Sequence, residues 1–368
     1  MNAPDKDYQS LMDADIGNLT RSAVRVATRY PLSFVPFLKM ALYQKKAATL
    51  RAGHRADGLE VPAFLIVSVT RRCNLKCAGC YSRVAEGHEK AEGRGPELDA
   101  ANLDRVIGEA AGLGVSFALM AGGEPLVRAE DIFRIAAKYP RVAFPVFTNG
   151  TLIDEAMIGR MRRLRNVLPI LSVEGGAWAT DIRRGKGTFE TVSGRMRELK
   201  KAGIFFGASF TVMRRNVAEL VDPAFVRSIV RAGAGVLFYN EYTPVEPGTK
   251  ALCVSREERL DMLARLKALR RRFPALMLAF PGDEDRYGGC LSAGRGFVHV
   301  APDGRLEACP FAPFGDSNTA DKPLAEALAS PLLDAIRAHH GELAETAGGC
   351  ALWNRRDWAE GLVKPTSR

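Results

Sequence analysis

Phe64-Leu65-Ile66-Val67-Ser68-Val69 runs directly into Arg72-Cys73-Asn74-Leu75-Lys76-Cys77-Ala78-Gly79-Cys80-Tyr81, and the rest of the chain is read outward from this stretch. Its first half is apolar and rich in β-branched residues, as a buried strand requires. Its second half is a loop carrying three cysteines in C-x3-C-x2-C spacing. A cubane iron–sulfur cluster normally takes four cysteine thiolates, so three on one loop would leave one iron open to another ligand. Zinc sites instead favour four ligands and C-x2-C pairs. Reduced structural thiols are the remaining alternative.

Further along, Gly122-Gly123-Glu124-Pro125 follows a second apolar run, Ser116 to Met120. Alone it is a Gly/Pro turn. Thr148-Asn149-Gly150 ends a third run (Ala143 to Phe147), and Ser172-Val173-Glu174-Gly175 ends a fourth (Leu168 to Leu171). Asp181-Ile182-Arg183-Arg184-Gly185-Lys186-Gly187-Thr188-Phe189 comes next. Read as an ordinary helix approach, Arg183 and Arg184 would simply be solvated.

In this order, these motifs resemble the radical S-adenosylmethionine (SAM) superfamily. The resemblance implies a [4Fe-4S] cluster on Cys73, Cys77 and Cys80 whose open iron chelates the amino and carboxylate groups of SAM. Reduction then cleaves SAM to methionine and a 5′-deoxyadenosyl radical. It also implies SAM-binding positions. Gly122, Gly123, Glu124 and Pro125 meet the methionine ammonium, which needs acceptors once buried. Ser172 and Glu174 meet the ribose, whose hydroxyls a carboxylate can accept. Arg184 meets the SAM carboxylate, which a guanidinium grips with two parallel bonds. One position departs from the family pattern. The residue before the third cysteine is usually aromatic and packs on the adenine, but here it is Gly79, so the ring is expected from Tyr81 or another side chain.

From about residue 61 to 275, strand-like runs alternate with helical ones. The strands expected are Phe64–Thr70, Ser116–Met120, Ala143–Thr148, Leu168–Glu174, Ile204–Met213 and Gly235–Tyr242. Helices such as Leu103–Ala111, Ile153–Leu164, Phe189–Ala202, Ala218–Ala232 and Arg256–Arg272 separate them. Such alternation builds a parallel sheet with right-handed crossovers. The resemblance narrows this α/β class to a partial (β/α)6 TIM-type barrel, in which the loops after the strands form the active site. Three domains follow: a basic helical extension (1–60), the barrel (61–275) and a C-terminal segment (276–368).

The C-terminal segment begins as a hairpin turning at Pro302-Asp303-Gly304, with Cys290 before it and Cys309 after it; Cys350 lies beyond two short helices. This resembles the auxiliary-cluster extensions of the superfamily, the SPASM and shorter twitch domains. A full SPASM domain holds two clusters and needs more cysteines than remain here. One auxiliary [4Fe-4S] or [2Fe-2S] cluster on Cys290, Cys309 and Cys350 is therefore implied, with its fourth ligand open. Cys253 reads as a small buried hydrophobe, and His299, His339 and His340 as packing residues.

Hydrophobic content of 47% and charged content of 26% are ordinary for a globular protein, and no apolar run has the length a membrane span needs. Seven cysteines without a secretory signal point to a reducing cytoplasm and metal chemistry. The net charge of +10 is concentrated in residues 16–56, which hold eight Arg or Lys and no acid. Arg21, Arg25 and Arg29 share a helical spacing, and Phe34, Phe37 and Leu38 interleave with the basic residues. Two readings stand: a cap on the barrel, or a segment lying on an anionic membrane surface. Nucleic acid is not expected, since no recognition motif accompanies the charge.

The function expected is hydrogen abstraction from a small-molecule or lipid-like substrate, fed by a reductant such as flavodoxin or ferredoxin. A ribosomal-peptide maturase is the alternative; the sequence before Phe64 is short for its leader-binding module. From another class, a non-catalytic Fe–S or zinc scaffold would not need the motifs at 122–125 and 172–175. The substrate, the reaction outcome and the catalytic side chains are not legible.

Overall fold

The structure is a computed structural model that describes residues 11–12, 16–17, 31–85, 95–282, 284–343 and 350–363. Arg21, Arg25 and Arg29 lie outside the described residues. The strands are β1 (Phe64–Ser68), β2 (Phe117–Ala121), β3 (Phe144–Thr148), β4 (Val167–Ser172), β5 (Gly207–Val212), β6 (Val236–Glu241), β7 (Leu276–Phe280), β8 (Phe297–Val300), β9 (Arg305–Glu307) and β10 (Ser317–Asn318). They form one sheet in the order β10-β9-β8-β1-β2-β3-β4-β5-β6-β7. Every neighbour from β8 through β7 is parallel, and β9 and β10 are antiparallel additions.

The helices start and stop where local chemistry satisfies their free backbone groups. Asp99 accepts the Asn102 N–H to begin Ala100–Leu113, and Gly114 ends that helix in the left-handed region (φ 99°). The helix buries Leu103, Val106, Ile107 and Ala110, one face at helical spacing, against the sheet. Ser255 and Glu258 form a reciprocal capping box before Arg256–Arg272. The helix expected over Ala218–Ala232 is broken in two, Val217–Leu220 and Pro223–Ala232. Asp222 caps the second piece, and Pro223 has no N–H to continue the first.

The parallel sheet outgrows the expected six strands. Leu276-Met277-Leu278-Ala279-Phe280 adds β7 to β6 beyond the boundary expected at 275, and β8 of the C-terminal hairpin pairs with β1. No pairing joins β7 to β8 among the described residues, so the barrel stays open along that seam. The hairpin is tied to the barrel by a buried relay in which Ser68 Oγ meets His299 Nε2 at 2.8 Å and His299 Nδ1 meets Glu307 Oε2 at 2.8 Å. His299 thus holds β1, β8 and β9 together. His339 packs edge-on to Trp358, with ring centroids 5.5 Å apart.

The helix Pro31–Ala56 caps the strands' N-terminal ends. Met40 is buried with Leu168, Ile170, Phe205, Val236 and Phe238, while Gln44 Oε1 accepts the Ser116 hydroxyl at 2.7 Å. Arg51 donates to the Gly114 carbonyl at 2.6 Å. On the outer face Leu38, Lys39, Leu42, Lys45 and Lys46 are exposed. No described helix is long and apolar enough to cross a membrane.

Candidate functional site at the barrel mouth

The cluster loop leaves β1 and is held by three other strand ends. Gly123 N–H donates to the Thr70 carbonyl and Glu124 N–H to the Arg72 carbonyl, each at 2.8 Å. This close pairing explains the double glycine. A Cβ on Gly122 would stand 2.4 Å from Thr70 O, and one on Gly123 would stand 2.2 Å from Arg72 O. Asn149 Nδ2 donates to Asn74 Oδ1 at 2.8 Å, and Asn74 Nδ2 to Thr151 Oγ1 at 2.7 Å. Ala78 N–H reaches the Arg183 carbonyl at 2.9 Å, which fixes the loop to the helix Ala177–Arg184. Glu97, which sequence reasoning missed, accepts the Thr70 hydroxyl at 3.0 Å and the Arg71 N–H at 2.6 Å. It lies in an irregular stretch without a motif.

Cys73, Cys77 and Cys80 line one cavity of about 800 Å³ together with Gly122, Gly123 and Glu124. Cys73 is exposed on the loop, yet desolvation by the protein around it pushes its thiol up to about 11. Burial also raises Cys77, against the pull of Arg184 and Arg183. No three His, Cys, Asp or Glu side chains among the described residues gather tightly enough for a single metal ion. A cubane distributes its cysteines over different irons, so its sulfurs stand wider apart than around one ion. Three thiols facing one cavity, two guanidinium groups beside Cys77 and a glycine cradle suit an anionic cluster with an amino-acid ligand.

The other expected SAM positions divide. Ser172 and Arg184 line the cavity; Pro125 and Glu174 do not. Pro125 opens a buried 3-10 turn. Glu124 is largely used within the protein: it accepts from Leu126 N–H (3.0 Å), the Thr148 hydroxyl (2.7 Å) and Asn149 N–H (2.8 Å). Burial raises its pKa, and these donors oppose the rise. Glu174 is 1% exposed and accepts from Arg183 Nη1 (2.6 Å), Arg184 Nη2 (2.6 Å) and Thr211 N–H (2.8 Å). The Glu174 oxygens thus face two arginines and the Thr211 backbone and not the cavity. Arg184 keeps Nη1 toward Cys77 Sγ, 4.0 Å away. Burial works against its charge, but Glu174 together with Cys77 and Cys80 outweighs it and holds the pKa above the ordinary value.

The space beside the third cysteine is filled from just past the end of β6. A Cβ on Gly79 would lie 2.7 Å from Tyr242 Oη and 2.8 Å from its ring, so Tyr242 fills the space that a side chain at 79 would enter. Tyr81 also lines the cavity and packs edge-to-face on Phe311, with centroids 4.7 Å apart. The position of Tyr242 just past a strand end was the available signal. Cys253 lies under Tyr242, its thiol 3.6 Å from the Tyr242 carbonyl, apart from the C-terminal cysteines.

Cys290, Cys309 and Cys350 are all buried in the main core. Ala293 N–H donates to the Ala308 carbonyl at 3.0 Å, bringing the segments after Cys290 and before Cys309 side by side. Burial drives the Cys290 thiol well above its ordinary value, with Glu284 and Cys350 adding to the rise. Their separation in sequence and shared burial suit an enclosed thiolate-held cluster. Cys309 and Phe311 also reach the cavity of the cluster loop.

Residues 67–222 match the radical SAM superfamily. The chain is 28% identical over 230 residues to the Fe-coproporphyrin III synthase of Methanosarcina barkeri, covering 58% of this chain and 54% of that protein. It is 26% identical over 270 residues to the PqqA peptide cyclase of Granulibacter bethesdensis, covering 68% of each. To the mycofactocin maturase MftC of Mycobacterium tuberculosis it is 29% identical over 270 residues, covering 69% of this chain and 66% of that protein. Among solved structures, Streptococcus suis SuiB bound to precursor peptide SuiA superposes with a TM-score of 0.62 over 81% of this chain and 71% of that chain, at 16% identity. That likeness shows the fold.

Proposed function

For a chain whose residues 67–222 form a radical SAM superfamily domain, we propose an enzyme that reductively cleaves SAM at Cys73, Cys77 and Cys80 and abstracts a hydrogen atom from a substrate at the same mouth. The observation that carries this reading is the convergence of the ends of β1, β2, β4 and β6 on one cavity that holds all three thiols. When bound, the [4Fe-4S] cluster supplies the electron that cleaves SAM, and the 5′-deoxyadenosyl group carries the radical to the substrate.

The protein's part is to bind, orient and exclude water. The Gly122–Gly123 backbone and Glu124 receive the methionine ammonium. Arg184, held by Glu174 through Nε and Nη2, offers Nη1 to the carboxylate. Ser172 takes the ribose contact, and Tyr242 faces the adenine in place of the ring absent at Gly79. Cys290, Cys309 and Cys350 hold an auxiliary cluster, and a small acidic redox protein supplies electrons.

On substrate, relatives named as a peptide cyclase and a maturase favour the ribosomal-peptide alternative over a free small molecule or lipid. Synthases of the tetrapyrrole type form the second group of relatives. The test is 5′-deoxyadenosine formation by anaerobically reconstituted protein with dithionite. Cleavage that persists after Cys73, Cys77 and Cys80 are all replaced by alanine sinks the proposal. About eight irons per chain are expected for two cubanes, or about six with a two-iron auxiliary cluster. A value near four, unchanged in a Cys309→Ala variant, removes the auxiliary site.

A further inference from the structure

Both ends of the three-cysteine loop are held by the segment that carries Cys309. At the entry, Arg71 stands two residues before Cys73, and its Nη2 pairs with Asp303 Oδ2 at 2.9 Å. Asp303 sits in the hairpin turn, six residues before Cys309, and is 5% exposed. At the exit, Tyr81 directly follows Cys80, and its ring packs on Phe311, two residues after Cys309. The stretch between Arg71 and Tyr81 carries all three thiols of the loop. Cys309 and Phe311 face the same cavity as those thiols.

Neither contact is explained by local structure. A turn aspartate is ordinarily used for bonds to its own neighbours, and here Oδ1 serves that role by accepting the Arg305 N–H at 3.4 Å. Oδ2 instead reaches across 232 positions to Arg71. Arg71 is steadied from its other side, where Nη1 donates to the Gly95 carbonyl at 3.2 Å and the backbone N–H to Glu97 at 2.6 Å. Leu98 N–H then reaches the Pro302 carbonyl at 2.7 Å, so residues 95–98 bind both the loop and the turn. Behind them the Ser68–His299–Glu307 relay ties the end of β1 to a residue two positions before Cys309. Close-packed groups pass a displacement on. A shift of the hairpin therefore reaches the loop at Arg71 and at Tyr81 together.

We propose that Asp303 and Phe311 are positioning residues of the SAM site, through which the Cys73–Cys80 loop tightens when Cys290, Cys309 and Cys350 close on iron. The inference rests on the radical SAM reading with its auxiliary cluster, and it adds a coupling between the two sites. Filling the C-terminal site favours the loop arrangement that binds SAM, and by linkage SAM favours the filled C-terminal site.

The first test is amide hydrogen exchange on metal-free full-length protein. The reporters are Ala78, Gly123 and Glu124, whose N–H groups bond to the carbonyls of Arg183, Thr70 and Arg72. Asp303→Asn and Phe311→Ala should each speed their exchange at least fivefold, while amides of the helix Arg256–Arg272 change less than twofold. Asp303→Glu and Phe311→Tyr should stay within twofold of the parent. If Phe311→Ala does not fold, Phe311→Leu, which keeps bulk and loses the ring, takes its place. The second test uses reconstituted holoenzyme and follows the change that SAM makes in the electron paramagnetic resonance signal of the reduced loop cluster. Asp303→Asn and Phe311→Ala should raise the half-saturating SAM concentration at least tenfold at unchanged iron content. Cys350→Ala, which lies outside the hairpin, should do the same while losing only the auxiliary iron. Reporter exchange that ignores both anchor variants, or SAM binding by Cys350→Ala equal to that of the parent, overturns the proposal. A parent without auxiliary iron overturns it as well. A parent that forms no cluster at Cys73 defeats the radical SAM reading, and the exchange experiment still decides whether Asp303 and Phe311 hold the loop.

Discussion

Replacing Glu174 with glutamine separates a structural carboxylate from a ligand contact. The side chain is 1% exposed, and a single oxygen receives both Arg183 Nη1 and Arg184 Nη2 at 2.6 Å. Glu174→Gln keeps the shape and removes the charge, leaving Arg183, itself 7% exposed, without its counter-ion. Breaking a buried pair from one side costs about 3–5 kcal/mol. Because both arginines share one oxygen, their losses do not add, so that range applies to the pair of contacts together. At roughly 2 °C per kcal/mol for a chain of this size, the unfolding midpoint should fall by ~6–10 °C. The assay is thermal unfolding followed by circular dichroism on metal-free protein at neutral pH, with the exposed Glu190→Gln as the control. SAM affinity should weaken too, since Arg184 loses the group that orients it. A midpoint within about 1 °C of the control would show that Glu174 does not anchor the arginines and would reopen a direct ligand role for it.

Gly123→Ala should strip most of the reconstituted iron from the Cys73 loop while the barrel stays folded, because its Cβ would fall 2.2 Å from Arg72 O and 2.6 Å from Arg71 O; iron analysis beside circular dichroism checks this. In metal-free protein, Cys73 is open to solvent but desolvation by the surrounding loop holds its thiol up to about 11, so it should alkylate slowly at pH 7 and gain about tenfold per pH unit up to about 11, because only the thiolate reacts; site-resolved mass spectrometry showing a plateau by pH 9 would contradict that shift. The exposed Leu38, Lys39, Leu42, Lys45 and Lys46 face of Pro31–Ala56 should pellet with anionic vesicles, at about 1 kcal/mol for each basic residue near the surface, and release as salt rises. Equal pelleting with neutral vesicles would leave that helix only its role as a barrel cap.

What the sequence determined by itself is what neighbouring residues decide among themselves. The C-x3-C-x2-C loop, the Gly122-Gly123 turn, the Pro302-Asp303-Gly304 hairpin and the Ser255 cap need partners only a few positions away, so spacing and residue type reveal them. Strand–helix alternation gave the α/β class for the same reason, since apolar periodicity is local. The tertiary structure decided whatever depends on residues distant in sequence. Tyr242 occupies the space beside Gly79 because β6 ends opposite the cluster loop. Glu174 turns from the cavity to Arg183 and Arg184 because the following helix folds back over β4. Ser68 meets His299 across 231 positions because β8 adds to the free edge of β1. The interior is of the same kind: a strand's alternation shows which residues face inward, but only closure of the sheet shows that Phe147 meets Phe238 and that a cavity remains beside them.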